Sequence, residues 1–216
     1  MDPIGNNRTR LESVVARLRD AGVQFDEGMS DTEIVRAEKK YGVRFPPDLR
    51  DLLQIALPLS RPDSGWFPNW RLAIAGDGES NQKIVGSLEW PADGICFDIE
   101  HSGFWVEEEW GTRPAEVDQA KTVARQKIAE VPKLIPIFSH RYIPSEPNTS
   151  GNPVFSVYQT DIIHYGADLV SYLEAEFLGG ALPKGVATVR PIRFWSRLVE
   201  VSGNPLHYRP LDTHAR

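Results

Sequence analysis

Residues 30–55 read SDTEIVRAEKKYGVRFPPDLRDLLQI, and within them the helix caps, the apolar spacing and the turn residues all agree. Ser30 and Glu33 form a capping-box pattern, in which each side chain accepts a hydrogen bond from a free N–H group at the start of a helix. Apolar residues then recur at helical spacing as far as Gly42, a residue type that easily adopts the left-handed conformation that ends a helix. Pro47 suits the first turn of a second helix. The sequence therefore predicts two helices joined by a short, rigid connection.

The rest of the chain contains patterns for both helices and strands. Helices are predicted over residues 8–21 and 116–130 and after the capping residue Asp168. Alternating or continuous apolar runs predict strands over residues 71–75, 84–90, 95–99 and 134–138, and a hairpin over 152–158 and 161–166. The expected fold is α+β: a largely antiparallel sheet from about Arg71 to Tyr165, with helices packed against it, forming a single domain followed by a C-terminal tail.

Composition limits the classes of protein to consider. The chain has 216 residues, of which 41% are hydrophobic, enough for a substantial core. It has no charged-then-apolar leader and no apolar run of the ~20 residues that cross a bilayer, so we expect a cytoplasmic protein without a membrane partner. Cys96 is the single cysteine, which excludes an internal disulfide. A net charge of −6 argues against nucleic acid as the main partner.

The negative charge is concentrated in residues 89–118. This segment has nine acidic residues and one basic residue, a net charge of −8. Aromatic side chains flank its densest part, and acidic charge with aromatic anchors is typical of a surface that binds a basic protein. The predicted partner-binding residues are Asp98, Glu100, Trp105, Glu107, Glu108, Glu109 and Trp110. Two alternatives are a solvated acidic face and a divalent-cation site, although three consecutive carboxylates rarely converge on one ion.

The tail, residues 179–216, is basic and contains a short apolar stripe. Its basic residues outnumber its acidic residues by six to two, and they are Lys184, Arg190, Arg193, Arg197, Arg209 and Arg216. Such a tail either binds another molecule or docks on the acidic segment of its own chain, where the effective concentration is high. The expected organisation is a packed N-terminal helix (1–23), a domain (24–178) with the acidic insertion (89–118), and this tail.

No catalytic motif stands out. The nucleophile elbow, the phosphate loop, the dinucleotide fingerprint and the zinc-binding His-Glu-x-x-His motif are all missing from the sequence. The best acid–base group is Asp161 and His164, with His140 and Glu146 at predicted neighbouring strand ends. Residues three apart on a strand point to opposite faces, however, which separates Asp161 from His164. We therefore expect no catalytic residues, no metal site and no cofactor.

Two blocks of the sequence resemble the SUKH superfamily of the Smi/Knr type. The first block consists of Ile34, Glu38, Tyr41, Gly42, Val43, Phe45, Pro46, Asp48, Leu49, Leu52 and Leu53. The second is the apolar strand at 134–138, the hairpin and the helix after Asp168, in the order in which the family's domain ends. Together the blocks span about 24–178, and the insertion at 89–118 matches no general motif of the superfamily. Phe45 and Leu49 replace the family's usual Leu and Tyr, and Ala56-Leu57-Pro58 replaces the common Asn-Gly-Gly.

The resemblance implies a function. Bacterial-type members of the superfamily are mostly immunity proteins that neutralise polymorphic toxins, often nucleases, whereas fungal members act as scaffolds in cell-wall signalling. We therefore expect a non-enzymatic protein-binding module, an immunity protein whose partner is a basic toxin. The alternative is a regulatory or scaffold protein with an endogenous partner, and an enzyme is the third possibility.

Overall fold

The computed structural model describes residues 3–61, 65–179 and 189–201. Within these residues the chain forms nine helices: α1 (Pro3–Asp20), α2 (Asp31–Tyr41), α3 (Pro47–Ile55), α4 (Trp70–Ala75), α5 (Gly78–His101), α6 (Glu107–Trp110), α7 (Val117–Ala129), α8 (Leu169–Leu178) and α9 (Trp195–Val201). The strands of the same residues are β1 (Phe25–Glu27), β2 (Ala56–Pro58), β3 (Leu134–Phe138), β4 (Arg141–Pro144), β5 (Val154–Tyr158) and β6 (Asp161–Gly166). They form two small antiparallel sheets, so the predicted α+β class is confirmed.

The two helices predicted at residues 30–55 are α2 and α3. The Ser30 side chain accepts a hydrogen bond from the N–H of Glu33, and the Glu33 carboxylate accepts one from the N–H of Ser30 at 2.7 Å. Gly42 ends α2 in the left-handed conformation, with φ of 60°. Arg71 fixes the start of α2 from outside, since its Nε donates to Glu33 Oε1 at 2.7 Å. Local caps therefore set the ends of α2, and the contact from Arg71 reinforces its start.

The strands predicted at 71–75, 84–90 and 95–99 are wrong, because these residues lie in α4 and α5. Asn69 and Asp77 are N-caps, each accepting a hydrogen bond from the backbone N–H three residues later. Gly76, interpreted as a turn between strands, is the left-handed residue that ends α4. Ile95 and Ile99 are buried at the helical spacing of four, which imitates strand alternation over so short a run. The main sheet therefore begins at Leu134 and not near Arg71.

The main sheet has the order β3-β4-β5-β6 and carries a hydrophobic core on each face. One face packs against α1 to α4 and α8 through Ile135, Ile143, Val154, Ile163 and Tyr165. The other face packs against the end of α5 and against α6, α7 and α9 through Leu134, Tyr142, Phe155, Val157 and Ile162. A sheet covered on both faces needs apolar residues at successive positions, which explains the continuous apolar strands in the sequence.

The described part of the tail docks on the domain. Phe194 and Trp195 are buried in the second core, and Trp195 Nε1 donates to the carbonyl of Pro132 at 2.6 Å. Arg197 forms ion pairs with Glu108 and Glu109. Docking on the acidic segment of the same chain, one of the two alternatives for this tail, is thus observed for residues 189–201. The remaining basic positions at 184, 209 and 216 lie outside the described residues.

In the described part of the chain, no helix is both long enough and apolar enough to cross a bilayer.

Candidate interaction surface

Asp98 was predicted to be a partner-binding residue, and this is wrong because its side chain lies inside the molecule. Only 9% of the residue is exposed. Its Oδ2 accepts hydrogen bonds from the backbone N–H of Thr160 at 3.0 Å and from Thr160 Oγ1 at 2.6 Å. Asp98 therefore ties α5 to the turn between β5 and β6. The prediction of a strand at residues 95–99 did not reveal this role, because Asp98 faces the sheet only when these residues form a helix.

The prediction that Trp110 binds a partner is also wrong, because its side chain is buried. Its ring stacks on Phe194 with 5.7 Å between centroids and meets the edge of Trp105 at 5.1 Å. Trp105 is half-buried and donates its Nε1–H to the carbonyl of Gly111 at 2.7 Å. These tryptophans therefore hold α6 and the docked tail together, and they leave little aromatic surface beside the glutamates.

The carboxylates of the acidic segment are largely paired within the chain. Glu108 and Glu109 both bind Arg197, with 3.3 Å between Glu109 Oε1 and the nearer guanidinium nitrogen. Glu100 binds Lys121 on α7 at 2.8 Å, and this contact lowers the pKa of Glu100. Glu107 is exposed in the first turn of α6. The structure thus gathers residues 105–110 at α6, while Asp98 and Glu100 on α5 point towards the sheet and towards α7.

The four candidate acid–base residues do not form a common site. His164 on β6 is half-buried against Phe155, and burial lowers its pKa. His140 lies in the turn before β4, where burial and then Arg141 lower its pKa to about 4. Asp161 and Glu146 are exposed. His140 lines a shallow cavity of about 290 Å³, and His164 is not among the residues lining that cavity.

Sequence reasoning did not consider a second pair, Ser196 with His164. Ser196 Oγ is 3.5 Å from His164 Nε2, at the limit of a hydrogen bond. The same Oγ accepts a hydrogen bond from the N–H of Ile192 at 2.8 Å, and Ser196 is buried. The geometry is that of a structural serine. Within the described residues, no three His, Cys, Asp or Glu side chains come close enough together to hold a metal ion.

Large aromatic side chains are exposed on one side of α5 and on the neighbouring end of β5. We use the name aromatic face for Trp90, Phe97, His101 and Tyr158. Trp90 is 42% exposed, Phe97 46% and Tyr158 58%. Residues 90, 97 and 101 lie on one line of α5, because seven or eleven residues complete almost whole helical turns. The Trp90 and Tyr158 rings are 6.3 Å apart, and the Phe97 ring stacks on His101 at 4.0 Å.

The aromatic face is held in place by close contacts between α5 and the hairpin. Trp90 Nε1 donates to the carbonyl of Val157 at 3.2 Å. A Cβ atom placed on Gly94 would lie only 2.7 Å from the Cα of Gln159, so only glycine permits this approach. With the Asp98–Thr160 contacts, these interactions fix the turn of the hairpin beside Trp90. The side chains of the face are therefore attached to rigid elements.

Sequence reasoning missed this face because it placed Trp90 and Phe97 on two separate strands. The signal that identifies it is their separation of seven residues, which aligns side chains on a helix but places them on opposite faces of a strand. Comparisons of the chain with models of protein families, with curated proteins and with solved structures find no match. The SUKH resemblance therefore rests on the residues of the two sequence blocks.

Proposed function

We propose that this protein is a non-enzymatic protein-binding module that serves as an immunity protein, neutralising a toxin in the cytoplasm by binding it. The aromatic face is the observation that carries the proposal. Tryptophan and tyrosine are the residues most enriched among those that dominate binding energy, and they lose little side-chain entropy on binding. The SUKH resemblance supplies the class of partner, a polymorphic toxin.

The charge around the aromatic face favours a basic partner. Asp161 is exposed and is the register partner of Tyr158 across the hairpin. Glu107 and the overall charge of −6 add to the negative field. Such a field raises the rate at which a basic protein is captured, while buried aromatic side chains limit the rate at which it leaves.

The absence of catalysis is part of the proposal and is supported by the geometry of the polar groups. Burial lowers the pKa of His140 and that of His164, and the two side chains have different neighbours. Ser196 Oγ already accepts a hydrogen bond from the N–H of Ile192. A toxin inhibitor that blocks an active site or a neighbouring surface needs shape and charge, and it needs none of these groups to react.

The test measures binding to, and inhibition of, the protein encoded by the neighbouring gene, since an immunity gene sits beside its toxin gene. Trp90→Ala is expected to weaken binding by about 30-fold or more, corresponding to at least ~2 kcal/mol for a central aromatic anchor. Leu72→Ala is the matched control, because Leu72 is exposed on α4 outside the face. Equal affinity of the parent and of a triple Trp90→Ala, Phe97→Ala, Tyr158→Ala variant, with the fold intact, would refute the proposed face.

The identity of the neighbouring protein separates the immunity function from the alternative. Inhibition of that protein's toxicity in cells expressing the parent, lost in the Trp90→Ala variant, is the expected result. Binding to a resident cellular protein without any effect on toxicity would favour the regulatory or scaffold function instead. Turnover of esterase, phosphatase or nuclease substrates that His164→Ala abolishes would show an enzyme.

A further inference from the structure

A cavity of about 410 Å³ lies on the other side of α5 from the aromatic face. It is open to solvent on one side and is bounded by the end of α2, the middle of α5, the end of α7, the start of β3 and the first residue of α9. Apolar side chains form most of its wall, including Val85, Leu88, Ala92, Ile128 and Trp195. Its volume falls within the ~300–1,000 Å³ typical of sites for small organic molecules. Neither the core nor the aromatic face accounts for this space.

Two lysines stand at the rim of the cavity without an anionic partner. Lys40 Nζ donates to the carbonyl of Ala73 at 2.6 Å, and Lys133 Nζ donates to the carbonyl of Gly42 at 2.9 Å. Both acceptors are neutral carbonyls at helix ends, where the helix dipole amounts to roughly half a negative charge per terminus. Neither lysine has an ion-pair partner within the described part of the chain. Positive charge therefore remains at the rim.

On the opposite side of the rim, the positive and negative charges already balance each other. Arg125 on α7 binds Asp93 Oδ1 at 2.6 Å, and Glu89 lies close enough to raise the pKa of Arg125 further. The uncompensated charge is thus localised at Lys40 and Lys133, on the α2 side. A ligand with an apolar body and one negative end would place its body against the wall and its charged end at these lysines.

We propose that this cavity binds a small monocarboxylic acid with an apolar body, such as a medium-chain fatty acid. The apolar wall removes the hydrocarbon from water, and the two ammonium groups bind the carboxylate through charge-assisted hydrogen bonds. Glu89 opposes the bound anion from across the rim. This inference does not depend on the proposed partner of the aromatic face, because the two surfaces lie on different sides of α5.

The experiment compares three ten-carbon probes by isothermal titration calorimetry: decanoate, decanol and decylamine. Decanoate is expected to bind at least tenfold more tightly than decylamine, with decanol between them. Lys40→Gln with Lys133→Gln is expected to weaken decanoate binding by about tenfold and to leave decanol unchanged, since glutamine removes the charge but keeps much of the stem. Lys39→Gln, an exposed lysine on α2 that does not line the cavity, is the matched control.

Further variants test the wall and the sign of the charge. Ala92→Phe fills the cavity and is expected to abolish binding of both decanoate and decanol, while Glu89→Gln is expected to strengthen decanoate binding several-fold. Thermal denaturation establishes that each variant is folded. Lys133→Arg keeps the positive charge and is expected to bind decanoate like the parent. The inference is overturned if decanoate does not bind the parent, if decylamine binds as tightly as decanoate, or if the double lysine variant binds decanoate like the parent.

Discussion

Replacing Asp98 by alanine discriminates between the residue's two possible roles. As a surface residue for a partner, Asp98 would be removable within about ±0.5 kcal/mol. In the structure, its Oδ2 accepts two hydrogen bonds from Thr160, one from the backbone N–H and one from the hydroxyl. A hydrogen bond to a charged group contributes about 1.5–3 kcal/mol. Because Thr160 is half-buried and water can replace part of the loss, we expect Asp98→Ala to lower the free energy of unfolding by about 2–3 kcal/mol.

Urea denaturation monitored by circular dichroism measures this change as a lower midpoint with an unchanged slope. Glu100→Ala is the matched control, two residues along the same helix, because the solvent-exposed Glu100–Lys121 ion pair is expected to contribute little to stability. Thr160→Val, alone and with Asp98→Ala, completes a double-mutant cycle, and a coupling of about 1 kcal/mol or more is expected. An Asp98→Ala variant as stable as the parent, or a cycle without coupling, would refute this account of the α5–hairpin contact.

Four further variants test the core, the acid stability and the docked tail. Leu52→Ala should lower the free energy of unfolding by about 2–5 kcal/mol in urea denaturation, because Leu52 is buried, and a stability equal to that of the parent would contradict its position in the core. The hydrogen bond from Arg71 lowers the pKa of Glu33 to about 2, so this contact stabilises the fold above pH 4.5 and the stabilisation is lost as the pH falls towards 2. Glu33→Gln should therefore flatten the stability profile between these pH values, and an unchanged acid limb would exclude the contact. Trp195→Ala should lower the free energy of unfolding by about 3–5 kcal/mol, because Trp195 is buried. Arg197→Ala should lower it by at most about 1 kcal/mol, and this effect should disappear in high salt. Equal losses of stability in the two variants would instead show that charge holds the tail.

The parts of the fold that the sequence predicts well are those whose signals lie within a few residues of one another. The capping box at Ser30 and the cap at Asp168 each need only the next three residues, and both form as expected. The β5–β6 hairpin likewise depends on two adjacent apolar runs and a two-residue turn at Gln159 and Thr160. Such local interactions compete with few alternatives, which is why their identification does not require the rest of the molecule.

The segment between Asn69 and His101 shows where local patterns fail. Its apolar spacing over Ile95–Ile99 fits both a strand with alternating faces and a helix with an apolar stripe. The caps at Asn69 and Asp77 favour the helix, but the same residue types also begin turns between strands. The choice is made by tertiary packing, since Ile95 and Ile99 enter the second core only from a helix. Interpreting this helical spacing as strand alternation caused the largest error in the predicted site, because it misplaced the side chains of Asp98, Trp90 and Phe97.

The acidic segment fails as a site for a different reason, because its partners are distant in sequence. Arg197 pairs with Glu108 from 89 residues away, and no pattern of charges along the chain specifies which pairs form. The sequence shows only that a basic tail and an acidic segment coexist. With these carboxylates paired within the chain, the aromatic face is the surface that exposes the largest apolar side chains among the described residues.

Gly94 connects the fold to the proposed function of this face. A glycine within a helix is less favourable than alanine by about 1 kcal/mol, so its presence in α5 needs a compensating contact. The contact is the backbone of Gln159, which approaches so closely that a Cβ atom on Gly94 would overlap it. This approach places Tyr158 beside Trp90 and leaves both rings partly exposed. Gly94 therefore sets the position of the two rings on which the proposed binding depends, and a larger residue at position 94 would move the hairpin away from Trp90.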